Sequence, residues 1–116
     1  SEDWNDQLVA RYGQLRAQVD RQLGAAEGWL KGHRNNPILL LALGRLALLN
    51  LDQGKAREYF EASLKLQRSA IVYGELGRLC VATGDGVRGA ELLLQAAVMN
   101  GQLLELPADP SAAVRS

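Results

Sequence analysis

The sequence predicts an all-α fold: three helical hairpins stacked as an array. Three observations carry this. Leu43-Gly44-Arg45-Leu46 returns 33 residues later as Leu76-Gly77-Arg78-Leu79, and a weaker echo, Tyr12-Gly13-Gln14-Leu15, lies 31 residues upstream. A period of this size marks a chain of similar units, and such units build extended surfaces that hold partners. Strong helix formers dominate, β-branched residues are few, and aromatics make up only 5%. Turn signals recur at short intervals, so successive helices must run antiparallel.

The elements follow in order. Asp3 is a capping residue for a first helix over 4–17. A second is expected over 20–32, with Leu23, Ala26, Trp29 and Leu30 on one face. His33 to Pro37 is the next break; Asn36-Pro37 reads as an N-cap followed by proline at the first helical position. A third helix runs to about residue 50. Asp52 opens a fourth over 52–67, on whose exposed side Glu61 precedes Lys65 by four residues, a favourable pair. Ser69 caps a fifth, Gly84-Asp85 marks its end, and a sixth spans 86–99 before Asn100-Gly101. Three units result, at about 4–32, 37–67 and 70–100, in one domain over 1–106. Leu103, Leu104 and Leu106 are expected to form a last turn over exposed core, and 107–116 reads as a flexible tail.

The units share an internal spacing. Gly13, Gly44 and Gly77 are each followed twelve residues later by a small residue, Ala25, Ala56 and Gly89. Four residues further stands a large one, Trp29, Phe60 or Leu93. A glycine inside a helix costs about 1 kcal/mol against alanine. Its recurrence calls for close helix packing, with the small residue as its contact and the large one filling the gap towards the next hairpin.

On these residues the chain resembles the tetratricopeptide repeat, whose pattern sets Leu-Gly in one helix and Ala-x-x-x-Phe in the next. The resemblance implies a right-handed array with a concave groove lined by the first helix of each unit. It is imperfect. Val9, Leu40 and Tyr73 replace the usual tryptophan, Arg16, Ala47 and Cys80 replace the late tyrosine, and the terminal proline is absent. Phrases such as Leu8-Val9-Ala10-Arg11-Tyr12-Gly13, Glu27-Gly28-Trp29-Leu30-Lys31 and Glu61-Ala62-Ser63-Leu64 are similar to the C-terminal repeats of HemY-like proteins. These are proteobacterial membrane proteins linked to late haem synthesis. That resemblance implies an interaction scaffold, with haem-synthesis enzymes as partners and no catalytic residue to carry over. It also implies an inner-membrane location through segments outside this chain, the present part being soluble.

Groove positions carried over from the repeat family are Gln7, Ala10, Arg11 and Gln14 in the first unit. The second unit supplies Ile38, Leu41, Ala42, Arg45, Leu48 and Leu49, and the third Ile71, Gly74, Glu75, Arg78, Val81 and Ala82. Arg45 and Arg78 hold the same place in consecutive units, so two guanidiniums could clamp a carboxylate of a peptide or a porphyrin. The alternative is an ordinary surface pair, Arg78 with Glu75 one turn back. The third helix is apolar nearly all round. Either it is simply buried, or a partner, the tail or a second copy covers Ile38, Leu41 and Leu48. Haem or porphyrin carriage and ligand-free oligomerisation are the other two readings.

Other chemistries have weaker signals. Positive and negative side chains balance at thirteen each with no long block, unlike a nucleic-acid footprint or a polybasic membrane tether. No apolar run reaches a membrane-spanning length. One cysteine, Cys80, excludes an intrachain disulfide. Residues 84–89 match G-x-G-x-x-G, but a helix precedes them where a dinucleotide site needs a strand, so they read as an inter-helix turn. His33 reads as a solvated loop residue and Cys80 as a small core residue; C-x-x-C-H spacing is absent. No acid, base and nucleophile converge in a recognisable context, and no enzyme activity, cofactor or metal is expected.

Overall fold

The computed structural model describes the backbone of residues 2–101 and the side chains of residues 6–101. The expected last turn at Leu103, Leu104 and Leu106 and the tail lie outside the described residues. Five helices are formed: α1 (Glu2–Leu30), α2 (Pro37–Leu49), α3 (Gln53–Leu66), α4 (Ala70–Ala82) and α5 (Gly86–Met99). No strand occurs among the described residues. None of these helices is long and apolar enough to cross a membrane.

Capping chemistry sets three of the four later starts. Asn36 Oδ1 accepts from the amides of Ile38 and Leu39 at 3.0 and 3.1 Å, ahead of Pro37 at the first helical position. Asp52 accepts from Lys55 N at 3.0 Å, and Ser69 Oγ from Val72 N at 3.4 Å. Each satisfies an amide that the first helical turn leaves without a partner.

The 33-residue repeat is written in the backbone. Asp52 N donates to Ala47 O at 2.9 Å, and Asp85 N to Cys80 O at 2.8 Å. Leu51 N donates to Leu48 O, and Gly84 N to Val81 O. Leu51 and Gly84 both have positive φ, at 60° and 93°. The α2–α3 and α4–α5 hairpins therefore turn in the same way.

Within these hairpins the recurrent glycines do what the spacing requires. A methyl group on Gly44 would overlap the Phe60 ring. One on Gly77 would lie 3.1 Å from Gly89 O, and one on Gly89 2.8 Å from Gly77 O. Phe60 and Ala56 are fully buried with Val72, Leu76, Cys80 and Leu92 in a core shared by both hairpins. Leu93 is half-buried.

The first unit departs from expectation. Instead of a hairpin over 4–32 there is the single 29-residue helix α1. Residues 17–20 contain neither proline nor glycine, and Ala17 and Gln18 favour helix, so nothing local breaks it. Gly13 consequently faces no partner helix among the described residues, none of which lies within 4 Å of where its Cβ would be. Ala25 is exposed, and Trp29, expected to fill an inter-hairpin gap, is 62% exposed. Its indole Nε1 donates to His33 Nε2 at 3.0 Å.

Among the described side chains of α1, those of its C-terminal half pack. Leu23 is buried with Leu40 and Leu43, and Ala26 and Leu30 lie against them. Arg16 reaches the far end of α2, donating to Leu49 O at 3.4 Å, so α1 runs antiparallel to α2 from Leu30 back to Arg16. Upstream it overhangs by about 20 Å at 1.5 Å per residue, with Leu8, Val9, Tyr12 and Leu15 exposed. The radius of gyration, 19.4 Å, exceeds the roughly 13 Å of a compact domain of this length. The smallest extent, 22 Å, is two helix layers thick.

Candidate partner-binding face

The side chains of α2 and α4 that point away from their hairpin partners meet on one face. Arg45 on α2 reaches Glu75 on α4: Nε lies 2.6 Å and Nη2 2.5 Å from the same oxygen, Oε1. The hydrogen bond that Arg45 donates to Glu75 raises the Arg45 pKa above its ordinary value, so this guanidinium stays charged at any working pH. The pair is a cross-link between successive hairpins, since 30 residues separate its members.

The expected surface pair of Arg78 with Glu75 is not formed. Glu75 pairs with Arg45, not with Arg78 one turn on. The two arginines differ in their surroundings: among the described residues only Arg45 is paired with an acid. Arg78 is exposed, with no carboxylate within 4.0 Å among the described residues. Its Nη1 lies over Gly74, 3.4 Å from the position of an added Cβ.

Three shallow cavities run along this face. One of about 370 Å³ has Ile38, Leu41, Ile71 and Met99 in its wall. A second, about 420 Å³, lies between Arg45, Glu75 and Arg78 on one side and, on the other, Leu93 and Ala96 of α5 with Asn100 at its C-terminal end. The third, about 270 Å³, joins Leu48, Leu79 and Ala82 to Glu75 and Arg78. The structure thus brings together Arg45, Arg78, Ile38, Leu41, Leu48 and Glu75 along one path. Ile38 is 75% and Ile71 58% exposed, so helix α2 is not simply buried despite its composition. The first-unit positions do not join it: Gln7, Ala10, Arg11 and Gln14 lie on the overhang of α1 upstream of Arg16.

Sequence reasoning missed the α5 contribution. Met99, Ala96 and Asn100 reach the face only because Gly77 and Gly89 let α5 close against α4, a tertiary consequence with no local signal. It also misplaced the Glu61 pair. Glu61 is held by Arg57 at 3.4 Å, which in turn reaches Asp85 at 3.3 Å, leaving Lys65 outside any ion pair among the described residues.

The remaining singled-out residues have structural places. Cys80 is fully buried in the shared core. The 84–89 segment is the α4–α5 turn, with Gly89 packed on Gly77 and Val81. His33 is exposed at the end of α1, its Nδ1 3.0 Å from Trp29 O. Among the described residues no three His, Cys, Asp or Glu side chains gather as metal ligands would.

No protein-family model matches the chain, and no curated protein matches it in sequence.

Proposed function

We propose that this chain is a protein–protein interaction scaffold of the tetratricopeptide type, the repeat module of a HemY-like protein associated with late haem synthesis. The α2/α4 face is the partner surface. One observation carries the reading. Ile38 and Ile71 stand exposed beside a buttressed ion pair and a cation, Arg78, that no described carboxylate neutralises. Covering exposed apolar side chains is favourable, and the adjacent cation sets the sign of charge the covering partner must bring. The 33-residue recurrence of turns and helix contacts supports the array, and the sequence phrases support the family.

The partner then carries a carboxylate for Arg78, flanked by apolar side chains for Ile71 and Leu48. Affinity capture with the chain and with Arg78→Glu tests this. Arg78 is exposed, so the variant keeps its helical circular dichroism. A partner recovered by the parent and lost by the variant is the expected result. Equal recovery would remove Arg78 from the proposal.

A further inference from the structure

A different cavity combines an apolar floor with a rim of one sign. It opens between the C-terminal ends of α1 and α3, with a volume of about 440 Å³. Leu30, Leu40, Ala62 and Leu66 form the floor. Lys31, Arg34 and Lys65 stand at the rim, all exposed. The one acid lining it, Glu27, is already engaged: Lys55 Nζ lies 2.9 Å from its Oε2 and Tyr59 Oη donates to the same oxygen at 3.1 Å. None of the three rim cations makes an ion pair among the described residues.

The charge balance is one-sided. Glu27 and Lys55 cancel, which leaves three full positive charges. Helix C-termini favour nearby cations, which accounts for placing Lys31 and Lys65 there. The two C-termini add only about −0.5 each, so the site stays positive by about two charges. They do not account for Arg34, nor for the exposed Leu66 beside the half-buried Leu30 and Ala62. Lys65 is available because Arg57 has taken Glu61.

From this geometry we propose a binding site for a single-chain amphiphilic anion: one apolar tail on Leu30, Leu40, Ala62 and Leu66, with a carboxylate or phosphate head among Lys31, Arg34 and Lys65. Charge complementarity selects an anion, and the apolar floor selects a tail. The volume lies within the range of small-molecule sites. The site is separate from the α2/α4 face, because none of its lining residues appears there.

Dodecanoate below its micelle concentration is the probe, titrated by calorimetry and by amide chemical shifts. Saturable binding of one molecule per chain is expected, with the shifts centred on Leu30, Ala62 and Leu66. Combined Lys31→Glu and Arg34→Glu, both at exposed positions, should weaken it by about tenfold or more. Acetate, a head without a tail, and dodecyltrimethylammonium, the same tail with the opposite charge, should not compete. Absence of saturation, equal binding of the cationic amphiphile, or shifts confined to the α2/α4 face would overturn the proposal. So would binding to phosphatidylglycerol vesicles without binding to dodecanoate, which would make the patch a membrane contact.

Discussion

Leu51 is the one non-glycine with positive φ among the described residues, and its repeat counterpart is Gly84. A side chain in the left-handed region costs about 1–2 kcal/mol, a strain glycine does not feel. Leu51 is also 71% exposed, so its side chain recovers little by packing. Leu51→Gly should therefore stabilise the chain by about 1 kcal/mol in urea unfolding, despite the extra unfolded-state entropy of glycine. The helical glycines sort by the same reasoning. At Gly77 a methyl would lie 2.8 Å from Leu93 Cγ and 3.1 Å from the Gly89 carbonyl, so Gly77→Ala should cost about 1–3 kcal/mol. Gly13→Ala meets nothing and should stabilise α1 by up to about 1 kcal/mol. Equal destabilisation at both glycines would contradict the packing described. The repeated Leu-Gly-Arg-Leu made Gly44 and Gly77 legible as close contacts, because only packing explains a recurrent helical glycine. It could not expose Gly13 as idle, since the missing partner is a tertiary fact.

Among the helices, α1 is tied to α3 through one polar junction: Glu27 with Lys55 and Tyr59. The hydrogen bond to Glu27 is the main cause that raises the Lys55 pKa above 10.5. Tyr59 is raised above 10.0, first by burial and then by its bond to Glu27. Both groups hold their protons more tightly folded than unfolded. Their contribution is complete below about pH 10 and is lost as pH rises through the folded values. The urea midpoint should fall as pH rises above about 10, and Glu27→Gln should make that fall smaller. An unchanged fall in the variant would remove the junction as its cause. Helices α2 to α5 were legible because Asn36-Pro37, Asp52, Ser69 and Gly84-Asp85 each carry capping or turn chemistry. The expected break near residues 17–20 rested on repeat symmetry alone, without such chemistry, and α1 runs through it. The ion pairs were the least legible layer. Arg45–Glu75 and Arg57–Asp85 join residues 30 and 28 apart, and which partner an acid takes depends on hairpin stacking.

For the whole molecule, two hairpins in register carry one long helix laid along α2. This thin, elongated body leaves much apolar surface uncovered, at Ile38 and Ile71 on one face and Leu8, Tyr12 and Leu15 on the α1 overhang. We place the partner on the α2/α4 face, since there apolar exposure coincides with an unneutralised cation and three adjoining cavities. A photo-crosslinking amino acid at position 71, compared with one at the exposed α3 position Glu58, tests that placement in cells making the protein. A discrete crosslinked partner from position 71 that is lost with Arg78→Glu, and none from position 58, is the expected result. The same partner captured equally from both positions, or from position 58 alone, would contradict it.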